Sequence, residues 1–308
     1  MIQVEAIRHR YDGRVALDSV TFEVAEAEIF GLLGPNGSGK TTLFRILSTL
    51  MLPEAGRAVV RGRDAAGDAS GVRREIGVVF QARSVDVKLT VTENLRHQGH
   101  LYGLRGAALD ARIREMLERL GLAGRADDRV EKLSGGMQRR VELAKGLLHR
   151  PSVLLMDEPS TGLDPGARRD LWQYLEMLRD SERVTIVTTT HLMEEAERCD
   201  RLAILNEGRL VALGTPAELK NAIGGDVILL DARDPERTAT RLAERFGVQP
   251  AVIDGRIRLE REGGHRFVNE VMEAFPGEIR GISVSEPTLE DVFIDRTGHR
   301  FWNEGQEP

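Results

Sequence analysis

The stretch GPNGSGKTT, from Gly34 to Thr42, constrains this chain more than any other. It follows EIFGLL at 28–33, a short apolar run of buried-strand character. It leads into KTTLFRILSTL, which has helical spacing from Lys40 to Leu50. The pattern G-x-x-x-x-G-K-[ST] between a strand and a helix is a phosphate cradle for physical reasons. Glycine lets the backbone wrap an anion without Cβ clashes. The loop N–H groups and the helix start present partial positive charge. Gly34, Pro35, Asn36, Gly37, Ser38, Gly39, Lys40, Thr41 and Thr42 are therefore the candidate phosphate-binding residues. Lys40 suits the β- and γ-phosphates and Thr41 a magnesium ion. Lysine is scarce here, the others being Lys88, Lys132, Lys145 and Lys220, so its place in this loop is not a matter of abundance.

Further apolar runs at 75–80, 153–156, 184–188 and 202–206 read as buried strands, and 2–8 and 19–24 alternate in the strand manner. Buried strands separated by helices predict a mainly parallel sheet covered on both faces, an α/β fold. From about 82 to 150 the pattern turns helical, as in LDARIREMLERLGL and GGMQRRVELAKGLLHR, which predicts a helical insertion into that core.

At 308 residues the length suits two domains. Residues 1–222 hold 32 basic and 32 acidic side chains, whereas 223–308 hold 11 and 17, so the whole net charge of −6 lies beyond the Gly224-Gly225 break. A boundary there gives domains 1–222 and 223–308. The tail reads β-α-β-β-α-β, the order of a ferredoxin-like unit, with a last helix from Thr288 to Arg296. Cys199 is the sole cysteine, which excludes an internal disulfide and a cysteine zinc site. Net acidity and 5% aromatic residues speak against a nucleic-acid surface. The start lacks the apolar core of a signal peptide, and no run approaches the ~18 apolar residues of a membrane span. The expectation is a cytoplasmic chain that works at a membrane only through a partner.

Two more segments carry chemistry. VLLMDE, at 153–158, ends an apolar strand on two carboxylates, where a charge needs a partner. Asp157 suits magnesium held through water, and Glu158 suits a general base; alone, the pair is equally an acidic turn. LSGGMQ, at 133–138, makes a second helix-start anion site from Ser134, Gly135 and Gly136; alone, such a segment is more commonly a serine N-cap with a flexible turn. One nucleotide could use both helix starts only if the second came from a partner chain.

In order and spacing these residues resemble the ATP-binding cassette of ABC transporters over 2–222. The resemblance implies a P-loop NTPase fold with ATP and Mg²⁺ as cofactors. It implies that Tyr11 stacks on adenine and that Gln81 senses the γ-phosphate and the metal. It makes Asp164, in STGLDP, the D-loop aspartate and His191 the switch histidine. Singly, Tyr11, Gln81 and His191 read as ordinary surface or strand-end residues; their joint register with three motifs reverses that. The resemblance assigns Glu158, His191, Gln81 and Lys40 to catalysis and Thr41, Gln81 and Asp157 to the metal. It assigns Ser134, Gly135, Gly136 and Gln138 to the nucleotide of a partner, hence a head-to-tail homodimer.

QARSVDVKLTVTENLRHQGHLYGL (81–104) and EPTLEDVFIDRTGH (286–299) resemble the daunorubicin-resistance type of drug, lipid and polysaccharide exporter. That branch implies an efflux ATPase at the cytoplasmic face of the membrane, paired with a separate integral-membrane permease and with no nucleic acid. The tail would be an accessory or regulatory domain. An importer cassette or a soluble ATP-switched clamp are the alternatives.

Overall fold

The computed structural model describes residues 1–301; the tail's last residues, 302–308, lie outside the described residues. Two compact units emerge, one over Met1–Leu210 and one from Val211 on.

The first unit begins with β1 (Ile2–Tyr11), β2 (Arg14–Val24) and β3 (Ile29–Leu33), then α1 (Lys40–Leu47). It continues through β4 (Ala55–Val60), β5 (Arg63–Asp64), α2 (Ala69–Glu75) and β6 (Ile76–Val79). Helices α3 (Val91–Leu101), α4 (Gly106–Arg119) and α5 (Gly135–Leu147) form the expected helical insertion. Then come β7 (Val153–Asp157), α6 (Pro165–Glu182), β8 (Thr185–Thr190), α7 (Met193–Ala196), β9 (Arg201–Asn206) and the start of β10 (Arg209–Gly214), a strand that continues past Leu210.

A six-stranded sheet runs β10-β9-β3-β8-β7-β6, and β9-β3-β8-β7-β6 are parallel neighbours. Its central strands β3, β8 and β7 are buried on both faces. On β7, Leu154 and Met156 enter the core built with α3 to α6, while Val153 and Leu155 enter the opposite core with α1. That second core is closed by an antiparallel sheet, β2-β1-β4-β5, whose Ile2, Val4 and Ile7 are buried there. The helix starts follow their local chemistry. Thr90 and Glu93 form a capping box on α3, Ser134 caps α5, and Asp164 with Pro165 opens α6. Cys199 is buried against Gly31, where a Cβ would meet its Sγ at 2.8 Å, and burial pushes its thiol pKa up.

The second unit holds α8 (Pro216–Asn221), β11 (Asp226–Ala232), α9 (Pro235–Phe246), β12 (Ala251–Ile253), β13 (Arg256–Arg261), α10 (Gly264–Ala274), β14 (Ile279–Ser285) and α11 (Leu289–Thr297). Its antiparallel sheet runs β12-β13-β11-β14, the strand order of a ferredoxin-like unit. Phe267, Phe275 and Leu242 fill the space between sheet and helices. By its contacts the chain divides after Leu210, which places α8, packed against α11, in the second unit. The EPTLEDVF segment has a structural use: Thr288 and Asp291 form a capping box on α11, and Asp291 Oδ1 accepts from the buried Arg258 Nε at 3.3 Å.

Phe267 is 1% exposed and touches Phe246 edge-on at 5.0 Å. Truncation of a buried phenylalanine removes about 3–5 kcal/mol. Phe267→Ala should therefore destabilise the second unit on that scale, read as a lowered denaturation midpoint in urea.

Candidate nucleotide site

The site grows from the ends of three neighbouring parallel strands. In register, Leu33 of β3 faces Thr190 of β8, and Asp157 of β7 faces Thr189 of β8. The phosphate loop, the two carboxylates and His191 thus leave the sheet at the same edge, where ligands of open α/β sheets sit.

The loop itself is shaped by glycine. Gly39 has φ +104°, and a Cβ there would meet Ala16 O at 2.5 Å. Gly34 is packed against the Ser38 hydroxyl, and a Cβ at Gly34 would lie only 2.5 Å from its Oγ. Helix α1 has no side-chain cap, unlike α3, α5 and α6. Its first-turn N–H groups have no partner within the helix. Ser38 Oγ is buried and has no hydrogen-bond partner. An uncapped helix start beside an orphaned hydroxyl suits a phosphate group. Lys40 Nζ donates to Gly34 O at 2.6 Å and Pro35 O at 3.0 Å, so its ammonium curls over the loop. Burial lowers its pKa, opposed by the Glu158 and Asp157 charges.

Tyr11, Asn36, Gly37, Gly39, Lys40, Thr41, Thr42, Gln81 and Glu158 line one cavity of about 380 Å³. Tyr11 is 40% exposed, and its hydroxyl donates to Met51 Sδ at 3.2 Å, which leaves the ring at the cavity's rim. Glu158 is the centre of the polar contacts. Gln81 Nε2 donates to Oε2 at 3.0 Å, and His191 Nδ1 lies 3.2 Å from Oε1. The His191 imidazole beside it, more than any other group, holds the Glu158 carboxyl below its usual range despite burial. Asp157 goes the other way: burial raises its pKa, against the hydrogen bond from Thr189. Two adjacent carboxylates are thus pushed apart by their surroundings.

One residue of the site, Thr189, belongs to no motif in the sequence. Its Oγ1 donates to Asp157 Oδ1 at 2.6 Å and accepts from Glu158 N at 2.9 Å. The signal for it is TIVTTT, since four hydroxyls in a buried strand need partners. Thr41, Gln81 and Asp157 are oxygen donors of the kind magnesium takes, with most of its shell left to water and phosphate. Among the described residues no group of three or more His, Cys, Asp or Glu could hold a metal by itself.

Ser134, Gly135, Gly136, Gln138 and Asp164 do not line this cavity. Ser134 Oγ accepts from Met137 N at 3.3 Å, and Asp164 Oδ1 accepts from Gly166 N and Ala167 N. Gln138 points inward. It is buried, its Nε2 donates to Val130 O and Leu133 O, and its Oε1 accepts from Arg83. Its amide holds the preceding turn.

The ABC transporter family model matches residues 17–161. The model of the DrrA1-3-like ATP-binding protein C-terminal domain matches 214–297. The daunorubicin resistance ATP-binding protein DrrA2 of Streptomyces coeruleorubidus is 37% identical over 98% of this chain and 96% of its own length. The chain belongs to the ABC transporter ATP-binding family. Nod factor export ATP-binding protein I of Paraburkholderia xenovorans is 43% identical over 97% of this chain and 98% of its own. A solved ATP-binding subunit of an ABC transporter superposes with a TM-score of 0.65 at 30% identity, covering 72% of this chain and 92% of that one. A dimeric cassette in a post-hydrolysis state, bound to ADP and Pi, gives 0.63 at 27% identity, covering 70% and 98%. This cassette is therefore a P-loop NTPase of the ATP-binding, ATP-hydrolysing class with a DrrA-like domain behind it.

Two outcomes follow from the geometry. Thr189→Val leaves a buried N–H without its acceptor, which should cost about 1–3 kcal/mol of stability in urea denaturation. The depressed Glu158 pKa gives stability that is complete above the ordinary glutamate range and lost as pH falls through the folded value. In nucleotide-free protein, His191→Ala should move the Glu158 titration to higher pH, read from its carboxyl carbon by NMR.

Proposed function

We propose that this chain is the ATP-hydrolysing subunit of an efflux-type ABC transporter, acting as a head-to-tail homodimer on the cytoplasmic face of a membrane beside a separate integral-membrane permease. The observation that carries the chemistry is a carboxylate, Glu158, held by Gln81 and His191 in the cavity that the phosphate loop lines. Export is supported by similarity along nearly the whole chain to proteins named for daunorubicin resistance and Nod factor export. No helix of the described residues is long and apolar enough to cross a membrane, so a transport role requires a membrane partner.

In this reading Lys40, Ser38 and the α1 start bind the β- and γ-phosphates, and Tyr11 receives the adenine ring. Thr41, Gln81 and Asp157 hold magnesium, which when bound neutralises charge that develops on the phosphates. Glu158 accepts a proton from the attacking water, and His191 and Gln81 fix the direction of its carboxylate. Ser134, Gly135 and Gly136, with Asp164, face the nucleotide of the partner copy. That placement is supported by their absence from the lining of their own chain's cavity. The second unit, drawn at 223–308 from sequence and from Val211 by contacts, serves as an accessory domain.

Glu158→Gln should keep ATP binding and lose hydrolysis by about 10²–10⁴-fold, measured as phosphate release. It should also accumulate an ATP-bound dimer on gel filtration. Lys40→Ala should weaken nucleotide binding; unchanged affinity would refute its role. Pulldown of tagged Glu158→Gln from membranes with ATP and magnesium should recover a multi-span hydrophobic protein. A soluble ATP-bound dimer with no such partner would leave the ATPase and overturn the transporter.

A further inference from the structure

Behind the site lies a buried ion pair that the proposed chemistry does not use. Arg139 and Glu142 stand one turn apart on α5 and are 8% and 2% exposed. Arg139 Nη1 donates to Glu142 Oε2 at 2.7 Å. The same guanidinium donates to three backbone carbonyls outside its helix: Pro159 O at 2.6 Å, Phe80 O at 2.7 Å and Glu158 O at 3.3 Å. Glu142 Oε1 accepts from Ser84 N at 2.6 Å.

Taking two charges out of water is expensive, and an apolar pair of similar volume commonly serves stability as well. The pair's partners suggest another use. Phe80 and Ser84 flank Gln81, and Pro159 follows Glu158. Glu158 itself has φ +44°, a left-handed conformation that non-glycine residues hold only when their surroundings fix it. Two atoms fix it: its N–H bonds to Thr189 Oγ1, and its carbonyl accepts from Arg139.

We infer that Arg139, oriented by Glu142, is a positioning residue that holds the Glu158 backbone and the Gln81 segment in register with α5. The helix that begins at Ser134 and the carboxylate of Glu158 then share one rigid link within the chain. The inference rests on the hydrolytic reading of Glu158.

The experiment uses the full-length chain and measures three quantities: saturating ATP turnover, affinity for a fluorescent ATP analogue, and thermal midpoint. Arg139→Lys keeps the charge beside Glu142 but cannot span three carbonyls with a planar fork. Its turnover should fall about tenfold or more, since small misplacement of catalytic groups is costly. Its nucleotide affinity should stay within about threefold, the split expected when only the chemical step is affected. Wild-type turnover in folded Arg139→Lys would overturn the inference. So would a loss of affinity that tracks the loss of turnover, because the pair would then only support the fold. If Arg139→Lys does not fold, the double replacement Arg139→Met with Glu142→Met fills the site without charge. It should bind nucleotide and hydrolyse slowly, and wild-type turnover there would overturn the inference equally. A wild-type chain that binds ATP without hydrolysing it would instead overturn the proposed function.

Discussion

A parallel sheet buried on both faces can carry charge only where its strands end. In this chain that constraint organises the site. Between Val153 and Met156 every side chain of β7 is buried among apolar neighbours, and the first place a carboxylate can stand is Asp157. Parallel neighbours finish at the same edge, so the loop after β3 and the residues after β8 arrive there too. The phosphate loop therefore faces Glu158 and His191 as a consequence of strand direction, before any side chain has chosen a partner.

The electrostatics follow from that crowding. Lys40, Asp157 and Glu158 are all buried at one edge, and each changes what the others cost. Asp157 loses solvation and receives a hydroxyl from Thr189, which leaves its charge poorly compensated. Glu158 gains an imidazole and an amide and keeps its charge more easily. A carboxylate that remains ionised can accept a proton; one short of compensation is suited to a cation. The division of labour between these two neighbours is thus a matter of which side chains reach them.

Much of this is legible in the sequence because it depends on local pattern. The phosphate loop, the strand ending in Asp157 and Glu158, and the β-α-β-β-α-β tail are set by spacing over short stretches. What escapes a reading of the sequence depends on distant partners. Thr189 looks like one more β-branched residue in a strand, although its hydroxyl joins two carboxylate-bearing residues. Gln138 belongs to a glycine-serine segment that points outward, yet its amide turns in to Val130 and Leu133. Strands β4 and β10 leave little trace in the pattern because they are only partly buried. The division after Leu210 is hidden because α8 is drawn to α11, some way along the chain, by contacts that no composition shift announces.

The two helix starts show why a single copy is an incomplete machine in the proposed arrangement. The start of α1 has no cap and an orphaned hydroxyl beside it, whereas the start of α5 is capped by Ser134 and lies away from that cavity. A nucleotide seated on α1 leaves its outer face open to a second copy's Ser134 and glycines. A ligand that binds the paired state better than the separate copies shifts the population toward the pair, and only by its difference in affinity for the two. Cleavage of the bridging phosphate removes that difference. In the proposed arrangement, the same constraint that gathers charge at one edge of the sheet thereby links chemistry at Glu158 to the association of two chains.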